Sequence, residues 1–108
     1  VGEDGHTASL FADREWPDKT VFAVRNAPKP PPERVTLGIK ALQNCCCLLV
    51  LVTGASKAEA VRQWRSGADL PIARVTDVDH ALVLVERKCL ALAGSQSARI
   101  LHGLELVE

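Results

Sequence analysis

The stretch CCLLVLVTGASKAEAV, Cys46 to Val61, decides the fold. Its first part, Cys46 to Gly54, is an apolar run, and such a run between helical segments marks a parallel strand covered on both faces. Its second part opens a helix. Ser56-Lys57-Ala58-Glu59 fits a capping box, with Ser56 at the N-cap and Glu59 three residues on. Ala58, Val61 and Trp64 then share the inner face, Arg62 and Arg65 suit the dipole near the helix end, and Gly67 is the expected stop.

Downstream, Leu70-Pro71 restarts the chain and IARV, Ile72 to Val75, is expected to extend briefly. ALVLVE, Ala81 to Glu86, reads as a further buried strand, and Cys89 to Ala93 as a short helix ended by Gly94. From Ser95 onward the pattern weakens. Upstream, TVFAV, Thr20 to Val24, is a β-branched and aromatic run that reads as a strand. NAPKPPPER, Asn26 to Arg34, holds four prolines, which fix φ and remove amide donors; a stiff extended connector is expected, holding Lys29 and Arg34 in set positions. Thr36 is the expected N-cap of a buried helix from Leu37 to Gln43. No internal repeat is visible. The alternation of strand and helix argues for an α/β fold, a mainly parallel sheet with covering helices.

The totals agree with one small domain. The chain has 108 residues, 47% hydrophobic and 24% charged, the balance of a folded core and not of a disordered tail. Net charge is zero, with six basic and six acidic groups in residues 1–54 and seven of each in residues 55–108. Such a balance steers the chain toward neither nucleic acid nor an anionic membrane. The longest apolar run, Cys45 to Val52, has eight residues, against the roughly 20 that a membrane-crossing helix needs. The first residues lack the basic, apolar and small-residue order of a secretory signal, so a cytoplasmic setting is expected. Cys45, Cys46 and Cys47 are adjacent, a spacing that suits neither a disulfide framework nor paired zinc ligation; they and Cys89 are expected to be small buried hydrophobes.

Chemistry-bearing residues concentrate in VGEDGHTASLF, Val1 to Phe11, a loop with no apolar strand ahead of it. His6 follows Gly5 and stands two residues from Asp4. An imidazole titrates near pH 6.5, so it can take a proton from water and return it, and a nearby carboxylate can fix its tautomer. Lys57 follows the buried strand at the first turn of a helix, where a mobile ammonium and free backbone amides suit a phosphate. Loops at the carboxyl ends of parallel strands are where open α/β sheets bind ligands, although the same lysine is equally at home as a solvated residue. His80 and His102 have no such company and read as surface or satisfied residues.

GEDGHTASLF, NAPKPPPERVTL, VTGASKAEAV and LPIARV, in this order, resemble the C-terminal half of a 6-phosphogluconolactonase, a family grouped with glucosamine-6-phosphate deaminases. The resemblance covers about Val1 to Leu92, and PKPPPERVTL favours the lactonase over the deaminase. It implies a Rossmann-like sheet and hydrolysis of 6-phospho-D-glucono-1,5-lactone to 6-phosphogluconate, in the oxidative pentose phosphate pathway, with no metal or organic cofactor. By the same resemblance His6 is the catalytic histidine, Asp4 its orienting acid, and Lys57 a contact of the substrate phosphate. Arg34 and Lys29 are further phosphate or carboxylate contacts, with Arg34 preferred because a guanidinium can grip an oxyanion at two places.

The family is roughly twice this length, and its Gly/Ser/Thr-rich phosphate turn has no match here. The chain is therefore expected to be the C-terminal portion of a single lactonase domain, partnered by its missing N-terminal half and weak or inactive alone. Two other functions compete: an amino-sugar phosphate deaminase or isomerase, and a non-catalytic sugar-phosphate-binding module.

Overall fold

Two sheets organise the chain, one parallel and one a hairpin. The computed structural model describes residues 1–90 and, for the backbone, residues 104–107. The elements run β1 (Val21–Val24), β2 (Arg34–Leu37), α1 (Ile39–Gln43), β3 (Leu48–Val52), α2 (Ala58–Arg65), α3 (Pro71–Val75), β4 (Ala81–Glu86) and β5 (Leu104–Val107). β3, β4 and β5 pair in that order, all parallel, with Leu48 opposite Ala81, Val52 opposite Val85 and Val83 opposite Leu104. The fold is thus mixed α/β. β5 lies in the segment where the sequence pattern is weak, and its pairing with β4 was not anticipated.

The core lies on one face of the parallel sheet. Strand periodicity of two brings Val50, Val52, Val83 and Val85 to that face, where they pack with Val61 and Trp64 of α2, Ile72 of α3 and Cys89. Burying each such side chain stabilises the fold by about 1.5–3 kcal/mol. The same periodicity turns Leu49 and Leu51 the other way, and they are 53% and 58% exposed. The expectation that β3 is covered on both faces is therefore corrected: among the described residues only one face is covered. Cys45, Cys46 and Cys47 are exposed and precede the strand, which corrects their reading as buried hydrophobes; Cys89 is buried, as expected.

β1 and β2 form an antiparallel hairpin with Val21 opposite Leu37 and Val24 opposite Arg34. The proline-rich connector is consequently a hairpin loop, not an extended strut. It folds back on itself through the Ala27 N–H, which donates to the Pro32 carbonyl at 2.9 Å. Thr36 is a strand residue, not an N-cap. Its buried hydroxyl accepts the Ser9 N–H at 3.0 Å and donates to the Leu37 carbonyl, so a distant loop claims the side chain that would have capped a helix. α1 begins after Gly38 and contains no buried residue, contrary to expectation. Gly38 itself is required by a chain crossing, since a Cβ there would lie 2.0 Å from the Lys19 carbonyl oxygen.

α2 buries Ala58, Val61 and Trp64, as its periodicity predicts, and Ala60 as well; Gly67 follows its end with φ at +95°. Its entry differs. No side chain caps it; Ala55–Lys57 form a 3₁₀ turn closed by the Lys57 N–H on the Gly54 carbonyl, and Glu59 is held by Arg62 and Gln63 instead of reaching back to Ser56. Ile72–Val75 is helical, not extended. Pro71 occupies the first helical position, where its missing N–H costs nothing, and Asp69 pairs with Arg74 along one side. Arg87–Leu90 form a 3₁₀ turn in place of the start of the helix expected from Cys89; that helix's remainder, Gly94 and His102 lie outside the described residues. His80 is satisfied by the Gln43 carbonyl at 2.7 Å. No described helix is long and apolar enough to cross a membrane.

Candidate functional site

The loop from Val1 to Phe11 is anchored by contacts to other parts of the fold. Val1 packs against the parallel-sheet core, and the Gly2 N–H donates to the His6 carbonyl at 2.8 Å, closing a tight loop. Gly5, at φ +83°, lies against Leu70, and its carbonyl accepts the Ile72 N–H from the start of α3 at 3.0 Å. Ser9 is tied to Thr36 on β2, and Leu10 and Phe11 are fully buried. Three parts of the fold therefore fix one loop.

Within it, one carboxylate oxygen of Asp4 accepts two hydrogen bonds from His6: from the backbone N–H at 3.1 Å and from ring Nδ1 at 2.5 Å. With Asp4 ionised, Nδ1 carries the proton, and the lone pair of a neutral imidazole is left on Nε2. Partial burial works to raise the Asp4 carboxyl; hydrogen bonds from the His6 ring and amide, with attraction to the imidazole, prevail and hold it below its ordinary range. The ring is packed closely. A Cβ on Gly2 would lie 2.1 Å from His6 Cε1 and Nδ1, and the Phe11 ring centroid lies 4.7 Å from that of the imidazole. The tautomer and the position of this imidazole are both set by neighbours.

The three candidate cations reach the same loop by separate routes. Lys57 Nζ donates to the Val1 carbonyl at 2.5 Å, and Lys29 Nζ lies 3.9 Å from the Glu3 carboxylate. Arg34 stands over the Phe11 ring, 5.2 Å from its centroid, so Phe11 touches both it and His6. Its fork is largely committed. Nε donates to the Pro31 carbonyl at 3.0 Å, and one terminal nitrogen to the carbonyls of Pro30 and Lys29 at 2.7 and 3.0 Å. The other lies 3.5 Å from Ser9 Oγ and is the end most open to an anion. Arg34 therefore shapes the hairpin loop as well as offering charge.

Sequence reading missed Gly2 and Phe11, although both fall inside the quoted loop: one is needed for close approach to the ring, the other as a shared platform. It also missed Arg14, which donates to the Arg25 and Asn26 carbonyls where the hairpin loop begins. A hollow of about 260 Å³ is lined by Ala23, Val24, Arg25, Glu33, Arg34 and Val35. It shares only Arg34 with the candidate residues, so the chemistry is assigned from side-chain geometry around His6. Among the described residues no group of three or more His, Cys, Asp or Glu side chains is placed to hold a metal ion.

Residues 1–84 match the family model of glucosamine-6-phosphate isomerases/6-phosphogluconolactonase. The 6-phosphogluconolactonase of Mycobacterium leprae is 38% identical over 98 residues, covering 84% of this chain and 39% of that protein. A probable 6-phosphogluconolactonase of Drosophila melanogaster is 39% identical over 91 residues, covering 79% of this chain and 37% of that protein. The human 6-phosphogluconolactonase is 39% identical over 66 residues, 58% of this chain and 26% of that protein. The chain thus spans no more than 39% of the length of these relatives. With the motif order, the mixed α/β architecture and a family match over residues 1–84, the chain belongs to the glucosamine-6-phosphate isomerase/6-phosphogluconolactonase family.

Proposed function

We propose that this chain carries the catalytic histidine of a 6-phosphogluconolactonase, hydrolysing 6-phospho-D-glucono-1,5-lactone to 6-phosphogluconate. The observation that carries the reading is the Asp4–His6 pair at 2.5 Å, on the loop that Lys57 also touches. His6 Nε2 accepts a proton from water as the water oxygen bonds to the lactone carbonyl carbon. Asp4 steadies the imidazolium that results. When the tetrahedral intermediate collapses, the bond from that carbon to the ring oxygen breaks and the proton passes from Nε2 to the departing oxygen. Lys57 binds the phosphate, exchanging the Val1 carbonyl for it, while Lys29 and Arg34 add charge from the hairpin loop. The reading requires no metal or organic cofactor.

The parallel strands β3, β4 and β5 support a Rossmann-like sheet as the finer description of the fold, and a cytoplasmic setting belongs to the same proposal. Leu49 and Leu51 leave an apolar face open, and the relatives are more than twice as long. Both support an N-terminal half of the same protein as the covering partner, with residues 1–108 as the C-terminal portion of one domain. A pH-stat assay on the phosphorylated lactone tests the function: acid release above the spontaneous rate is expected when the N-terminal half is present, and little or none from residues 1–108 alone. Ammonia release from glucosamine 6-phosphate would favour the deaminase instead, and binding of 6-phosphogluconate without turnover would favour a binding module.

A further inference from the structure

Glu86 stands at the carboxyl end of β4 with its side chain turned toward the neighbouring strand's exit. One carboxylate oxygen accepts the Gly54 N–H at 2.8 Å, and the other is paired with Lys88 Nζ at 3.0 Å. Gly54 has φ +91°, a conformation side-chain-bearing residues rarely adopt, and its carbonyl accepts the Lys57 N–H at 3.0 Å. The buried Cys89 thiol adds a third tie, to the Gly54 carbonyl at 3.1 Å. Gly54 is therefore held at its amide by an acid and at its carbonyl by a thiol and by Lys57 itself.

This makes a short mechanical path from β4 to the candidate phosphate contact. A carboxylate accepting a backbone N–H makes a charge-assisted bond, stronger than one between neutral groups. The Gly54 amide, with Lys88 beside it, holds the Glu86 carboxyl below its ordinary range, so the charge is present at neutral pH. Nothing in the capping-box reading of Ser56 and Glu59 supplies this constraint, and the structure shows no side chain capping the turn. The acid that fixes the turn comes from another strand.

We propose that Glu86 is a positioning residue: by clamping the Gly54 amide it sets the turn that presents Lys57 to the phosphate of a phosphorylated substrate. The proposal rests on the lactonase reading for its substrate, and on the geometry alone for the clamp. Lys57 stays on the chain in any Glu86 variant, so the effect falls on phosphate affinity and not on the Asp4–His6 base.

The test, run on the protein with its N-terminal half present, compares Glu86→Ala, Glu86→Asp and Glu86→Gln with the wild type on the phosphorylated lactone and on unphosphorylated glucono-1,5-lactone. Loss of a charge-assisted bond predicts about a tenfold rise in KM for the phosphorylated substrate in Glu86→Ala. The kcat and the rate on the unphosphorylated lactone are expected to hold. Glu86→Gln keeps an acceptor and should recover most of the affinity, whereas Glu86→Asp, too short to reach the amide, should not. If Glu86→Ala fails to fold, Glu86→Asp carries the test with the same expected loss. Equal losses on both substrates, or an unchanged KM for the phosphorylated one, would overturn the clamp. Inorganic phosphate, titrated by calorimetry, reads the clamp apart from turnover: weaker binding in Glu86→Ala supports it and unchanged binding overturns it. A wild type without lactone hydrolysis would defeat the lactonase reading alone.

Discussion

The hairpin loop before Arg34 and the turn before Lys57 both deliver a cation to the His6 loop, yet they are built on opposite principles. Arg34 holds its own loop together, donating to the Lys29, Pro30 and Pro31 carbonyls, with little of its fork left over. Among the described residues the Lys57 ammonium holds only the Val1 carbonyl, while Glu86 and Cys89 hold its turn for it. One cation is the scaffold; the other is carried by one. The difference teaches that charge near a base is not by itself a measure of its part in binding: a committed guanidinium contributes chiefly to stability, and a singly bonded ammonium can change partners.

The sharpest way to separate the base from both cations is Gly2→Ala. The new Cβ would collide with the His6 ring and displace it, and a displacement on the order of 1 Å costs roughly 100-fold in turnover while KM holds. Unchanged kcat would show that ring placement does not matter. Next in size is Lys57→Ala, which should raise KM for the phosphorylated lactone by about 30-fold, the loss of one hydrogen bond to a charged group, with thermal stability nearly unmoved. Arg34→Ala should act chiefly on stability, with a smaller rise in KM than Lys57→Ala gives. Urea denaturation is expected to show a loss of about 2 kcal/mol, from stranded carbonyls and the lost contact over Phe11, and Arg34→Lys should recover little because an ammonium lacks the fork. If Lys57→Ala destabilised the protein and Arg34→Ala spared it, the contrast between the two regions would be inverted.

Much of this was legible from residue types, and the limits have physical causes. β3 and β4 announced themselves as apolar runs bounded by turn residues, and α2 through a helical apolar periodicity that reports which face is buried. The candidate base was legible too, since Asp4 and His6 are two residues apart and their contact is local. The hairpin was not. β2 has four residues, and whether Thr36 caps a helix or receives the Ser9 amide depends on a partner 27 positions away. The same holds for Glu86, whose contact with Gly54 spans 32 positions, and for the open face of β3, which no run of apolar residues distinguishes from a covered one. Long-range hydrogen bonds decided the first two and packing decided the third; local propensity decided none of them.

The smallest expected effect lies just beyond the Lys57 turn. Hydrogen bonds from Arg62, then Gln63, lower the Glu59 carboxyl from 4.5 to about 2, outweighing partial desolvation. Its folded pKa lies below the unfolded one, so its contribution is present above 4.5 and is lost as pH falls toward about 2. Because the pair is solvent-exposed, screening keeps the effect small. Glu59→Gln should slightly flatten the acid limb of stability against pH between those values. An unchanged acid limb would mean that the pair does not persist in solution.

The account turns on His6 acting as the base. Steady-state hydrolysis of the phosphorylated lactone by His6→Asn, with 6-phosphogluconate affinity measured in parallel, tests it most directly. A fall in kcat of about 100-fold or more, with affinity kept within about twofold, is the predicted result. Turnover close to the wild type would contradict it.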